Sequence, residues 1–131
     1  MYTIVSGVDQ DRDRTTAQAR AIVDLPVDPD RVEVVLIHNF TENRSGASVA
    51  QISGVRQARA TLEDAGIDVI LEEFSHEEPA EGVLELADEY DADLLVVAGR
   101  KRSPTRKALF GSVSQQVMLN TDLPVLVCSP E

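Results

Sequence analysis

Lysine is almost absent from this chain of 131 residues, occurring only at Lys101 and Lys107, and there is a single cysteine, Cys128. One cysteine excludes an internal disulfide, and its place in an apolar run marks it as a small buried hydrophobe suited to a reducing compartment. Positive charge is scarce overall: 12 bases face 23 acids, for a net charge of −11. That balance argues against nucleic acid as a partner, because neutralising phosphates needs a basic face. No apolar run approaches the roughly 20 residues of a membrane helix, and the amino terminus carries no secretion signal. A soluble, cytoplasmic protein without membrane partners is expected. The excess of acid, the preference for arginine and a core of Val, Ala and Leu together suggest adaptation to a salty cytoplasm.

Several chemistries lack their motifs. There is no GxxxxGK[ST] phosphate loop, and no dinucleotide fingerprint follows the first strand, where Gly7 stands alone. His38 ends an apolar strand and reads as a core histidine, while His76 lies in an acidic loop, so no cluster has metal-ligand spacing. Glu72, Glu73, Glu77 and Glu78 read as solvated surface on so acidic a chain. No general base can be assigned, and catalysis is not expected beyond slow ATP hydrolysis.

What is present alternates. Tyr2 to Val8 is rich in β-formers, and Arg14 to Leu25 then carries alanines and aliphatics at helical spacing up to Pro26. Val32 to His38 is a near-continuous apolar run, the mark of a strand covered on both faces. Ser48 and Gln51 form a capping box ahead of a helix through Leu62, which Gly66 ends as a left-handed cap. Asp68 to Phe74 is a strand, and Pro79 opens a helix with Val83, Leu86, Ala87 and Tyr90 on one face. Asp93 to Ala98 is a strand, Gly111 and Ser112 open the last helix, and Leu123 to Cys128 is the last strand. The chain has no internal repeat. Residues 1–131 therefore predict one α/β domain: three α/β/α layers around a five-stranded parallel sheet, order 3-2-1-4-5.

The candidate site is the segment from Gly99 to Ser112. Arg100, Lys101, Arg102, Arg106 and Lys107 all fall there, leaving seven bases against 23 acids elsewhere, so the segment is a cationic island. It leaves the carboxyl end of a central strand, where open α/β sheets bind ligands. Gly111 permits close backbone approach, and the Ser112 hydroxyl with the first amides of the helix suits an anion such as a phosphate chain. Ser112 with Gln115 can equally be a capping box, with the arginines solvated counter-charges. Asp9 reads locally as an Asx-type cap of its turn.

The chain resembles the universal stress protein family through Val8-Asp9, Leu36-Ile37-His38, the Asp93 to Gly99 strand, and the tail from Gly111-Ser112-Val113 to Pro124-Val125-Leu126-Val127. The resemblance covers the whole chain. It implies a Rossmann-like fold that binds ATP or a related adenine nucleotide, with magnesium. It places Asp9 on the adenine and ribose side, Gly99, Gly111 and Ser112 at the phosphates, and Val8, Ala98, Val113 and Ser114 beside them. It also implies a homodimer through the strand Leu123 to Cys128, acting as a regulatory sensor. Nucleotide-binding members have glycine, two residues, glycine, nine residues, then glycine with serine or threonine. Here Arg102 occupies the second glycine position, and only eight residues separate it from Gly111. Arg102 either plugs the groove or supplies bidentate contacts in place of backbone ones. The alternative function is a nucleotide-free interaction module of the same fold.

Overall fold

The computed structural model describes residues 1–9, 11–39, 53–75, 77–100 and 109–130. In chain order these form β1 (Tyr2–Gly7), α1 (Arg12–Val23), a 3-10 turn (Pro29–Arg31), β2 (Val32–Asn39), α2 (Ser53–Asp64) and β3 (Asp68–Phe74). Then come α3 (Pro79–Glu89), β4 (Leu94–Arg100), β5 (Leu109–Phe110), α4 (Ser112–Asn120) and β6 (Val125–Cys128). Five parallel strands run in the order β3-β2-β1-β4-β6, which is the expected 3-2-1-4-5 arrangement. The two-residue β5 was not anticipated: it pairs antiparallel to the end of β4, Phe110 opposite Gly99 and Leu109 opposite Arg100. Two backbone rungs leave no side-chain periodicity to read.

The apolar runs sort by alternation, as a sheet covered on both faces requires. Ile4, Val34, Leu36 and Val96 face one layer with Ala19 and Ile22 of α1 and Val55, Ala58 and Leu62 of α2. Val5, Val35, Ile37, Leu95 and Val97 face the other, with Val83 and Ala87 of α3 and Val117 of α4. Each fully buried Ile, Leu or Val contributes roughly 1.5–3 kcal/mol, so the two layers, not helix propensity, hold the helices. Among the described residues no helix is long and apolar enough to cross a membrane.

Helix ends follow local chemistry. α2 closes as expected on Gly66, at φ +86°, with Ile67 N–H donating to Leu62 O (3.1 Å) and Gly66 N–H to Glu63 O (2.9 Å). Those two bonds and the buried Leu62 and Ile67 make a Schellman cap. α3 closes with the same pair of bonds, Ala92 to Ala87 and Asp91 to Asp88, but places Asp91 at φ 51°. The Ser48–Gln51 capping box and His76 lie outside the described residues.

Candidate functional site

β1 and β4 part company at one point, and a cavity opens there. At their amino ends they are clamped by reciprocal bonds, Thr3 N–H to Asp93 Oδ2 (2.9 Å) and Asp93 N–H to Thr3 O (2.7 Å). Pairing runs from Ile4 with Leu94 to Ser6 with Val96 and stops. Beyond it lies a cavity of 470 Å³ between the carboxyl ends of β1, β2 and β4 and the first turns of α3 and α4. Its walls include Val8, Asp9, His38, Ala98, Val113 and Ser114, with Phe74, Glu77 and Val83 on the α3 side. That volume is within the roughly 300–1,000 Å³ of small-molecule sites.

The lip formed by Gly7, Val8 and Asp9 is held from two directions. From the sheet, Val8 N–H donates to Ile37 O (2.9 Å), and His38 Nδ1–H donates to Val8 O (2.7 Å). A carbonyl only accepts, so Nδ1 carries the proton. From α1, three polar side chains on adjacent turns reach back. Arg14 Nε donates to Asp9 Oδ2 (2.9 Å), Thr15 Oγ to Asp9 O (3.4 Å) and Asp11 O (2.9 Å), and Gln18 Nε2 to Gly7 O (2.7 Å). Asp9 also caps its own turn, its Oδ1 accepting from Asp11 N–H at 2.8 Å. Its carboxylate thus has two local partners while remaining 48% exposed. The α1 contacts were missed in the sequence, although Thr15 and Gln18, polar residues at helical spacing with Ala19 and Ile22, were a signal.

The other lip is built by α4. Ser114, a buried residue, donates its hydroxyl to Ala98 O (2.8 Å), fixing the helix start against the end of β4. The helix begins one residue earlier than a Ser112–Gln115 capping box requires. Gly111 is the N-cap, with φ −73° and ψ 165°, and as a glycine it has no side chain to bond the first amides. Gln115 N–H donates to Gly111 O (3.1 Å), and Ser112 is an exposed first-turn residue. With no acid in the first turn, the amide end of α4 is open and positively polarised.

Of the candidate residues, Val8, Asp9, Ala98, Val113 and Ser114 meet in the cavity. Gly99 is buried in its β5 rung, and Gly111 and Ser112 sit at the helix start beside the cavity wall. Arg102, Lys101, Arg106 and Lys107 lie outside the described residues. Among the described residues no group of three or more His, Cys, Asp or Glu is arranged to hold a metal. Burial pushes the Cys128 thiol up to about 11, which leaves it without nucleophilic character at neutral pH.

Known proteins share this fold. The model of the universal stress protein family matches residues 1–129. The chain belongs to the universal stress protein family. A universal stress protein of Mycolicibacterium smegmatis is 34% identical over 84 residues, a stretch covering 64% of this chain and 65% of that relative. The chain thus covers just under two thirds of that relative's length. Among solved structures, a universal stress protein from Archaeoglobus fulgidus superposes with a TM-score of 0.72 at 27% identity, covering 98% of both chains. Another from Archaeoglobus fulgidus, in complex with dAMP, has a TM-score of 0.68 at 22% identity over 98% of both chains. A universal stress protein in complex with cAMP has a TM-score of 0.67 at 22% identity, covering 99% of this chain and 98% of that one. The universal stress protein fold therefore accounts for the whole described chain.

Proposed function

We propose that this universal stress protein is a regulatory sensor that binds an adenine nucleotide, ATP or a related one, and signals through a homodimer. The observation that carries the reading is the cavity at the split of β1 and β4, with the uncapped start of α4 at its edge. The base and ribose fit the part walled by Val8, Asp9 and Ala98, where Asp9 and Glu77 offer acceptors to hydroxyl or amino donors. Phosphates fit the amides of Ser112, Val113 and Ser114, with Gly99 and Arg102 nearby in sequence to the same edge. Magnesium would enter with the phosphates, whose oxygens supply its ligands. The dAMP and cAMP complexes of structural relatives support an adenine nucleotide as ligand.

The dimer reading rests on surface chemistry. On a chain of net charge −11, α4 has no charged residue, Leu119 is 83% exposed, and β6 is an edge strand. Uncovered apolar edges favour pairing. A sedimentation coefficient of a monomer at micromolar concentration would remove this part. A salt-adapted surface predicts a melting temperature that rises in molar salt, and an unchanged one would remove that part.

Asp9 favours the second reading, a nucleotide-free interaction module, because its carboxylate is already engaged by Arg14 and Asp11. One experiment separates the two: mass spectrometry of nucleotide released from freshly purified protein, followed by calorimetric titration with ATP and magnesium at low and high salt. Binding that is lost in Arg102→Ala supports the sensor with substituted contacts. No binding of any nucleotide at either salt leaves the interaction module.

A further inference from the structure

We propose that Gln18 is a positioning residue for this cavity: its carboxamide takes the place of the backbone rung that would otherwise zip β1 onto β4 at the mouth. The idea rests on the nucleotide reading for its functional consequence, though the structural half stands by itself.

The register shows where the substitution occurs. Pairing between the two strands ends at Ser6 and Val96. Continuing a parallel ladder by one step would bring the Ala98 N–H onto the Gly7 carbonyl. That carbonyl instead accepts Gln18 Nε2 at 2.7 Å, and the same amide nitrogen reaches Ser6 Oγ (3.1 Å) and Val96 O (3.4 Å). One side chain on α1 thus touches both strands at the residue where they separate. Carbonyls only accept, so contacts to two of them fix this end of the amide as nitrogen.

Packing alone gives no reason for a glutamine here. The residue is 1% exposed, in a layer made mainly of Ile, Val, Leu and Ala, where the buried polar residues Ser6 and Thr15 have their own hydroxyl partners. Its Oε1 is buried and finds no partner among the described residues. A buried acceptor without a donor is a cost that an apolar residue of similar length avoids. The cost is offset by the hold on Gly7. That hold completes a symmetrical arrangement of the two lips: Gly7 is drawn toward α1 by Gln18, and Ala98 toward α4 by Ser114. A ligand entering between them meets a gap already open, so binding need not break a backbone rung.

The test compares wild type, Gln18→Met and Ile22→Val, an apolar change elsewhere in the α1 core, by titration with dAMP and by amide hydrogen exchange. Gln18→Met is expected to bind dAMP at least tenfold more weakly. Ile22→Val, destabilised to a similar melting temperature, is expected to bind as wild type does. In Gln18→Met the Ala98 amide is expected to exchange more slowly, because the ladder closes by one rung. Wild-type affinity in Gln18→Met, or an equal loss in Ile22→Val, overturns the positioning role. If wild type itself binds no dAMP, the nucleotide reading fails separately and the exchange data decide: slower exchange at Ala98 supports the replaced rung, and unchanged or faster exchange overturns it. Should Gln18→Met not fold, Ser6→Ala removes the hydroxyl that steadies the amide. A threefold or greater loss of affinity then supports the role, and wild-type affinity contradicts it.

Discussion

Of the helix starts at the carboxyl edge of the sheet, those of α1 and α4 are finished in opposite ways. α1 is closed: Asp11 is its N-cap and accepts from Arg14 N–H at 2.9 Å, Asp13 stands in its first turn, and Arg14 bridges to Asp9. α4 has a glycine cap, which offers no side chain, and no acid in its first turn. Both termini have the same free amides and the same dipole by construction. The sequence spends carboxylates on one and withholds them from the other. On the proposed nucleotide reading, the carboxylates at the start of α1 disfavour phosphate there and the start of α4 receives it, which would set the direction of the nucleotide.

The largest effect should come from closing the open end. Gly111→Asp, at a backbone conformation any residue adopts, supplies a cap and a negative charge where phosphate would bind. Nucleotide affinity should fall on the order of a hundredfold, while helix stability holds or rises by a few tenths of a kcal/mol. Calorimetry paired with thermal melts separates the two. Unchanged affinity would erase the distinction between the termini.

Next in size is the cavity wall between them. A Cβ on Gly82 would collide with the Phe74 ring, and Phe74 lines the cavity. Gly82→Ala should cost about 1–3 kcal/mol in urea unfolding through overpacking, and should weaken nucleotide binding by displacing the ring. A neutral result would mean that the ring moves aside freely.

Opening the closed end is the converse of the first change and smaller. Asp11→Ala should lose about 1 kcal/mol of stability, as N-cap removals do, with nucleotide affinity within twofold of wild type. A large gain in affinity would show that α1 competes for the anion.

The smallest effect lies remote from both termini. The Tyr90 hydroxyl donates to Glu72 Oε2; that bond, then burial and nearby carboxylates, raises the phenol to about 12 from its ordinary 10. The protonated form is the one favoured by folding, so its stabilisation is complete below pH 10 and is lost as pH rises toward 12. Tyr90→Phe should remove the decline across that window in pH-dependent melts and leave nucleotide affinity unaltered.

The sheet order and the helix positions were legible in the sequence because burial on both faces writes near-continuous apolar runs such as Val32 to His38. Gly66 was legible because a left-handed cap favours one residue type, whereas Asp91 adopts the same conformation without that signal. The cavity wall was legible where it lies next to strand ends, at Val8, Asp9 and Ala98. It was not legible where distant segments meet: His38, Phe74 and Glu77 join the cavity only through the topology. Nor do spacing rules distinguish Gly111 from Ser112 as the cap, since both residues are suited to that position. Gln18 looked like one polar residue on a helix because its purpose depends on where two strands stop pairing.

The most direct measurement is amide chemical-shift mapping of the protein titrated with dAMP. The account predicts the largest shifts at Ser112, Val113 and Ser114, lesser ones at Val8, Asp9 and Ala98, and none at Arg12 and Asp13. Shifts centred on the start of α1, or none at the start of α4, would contradict it.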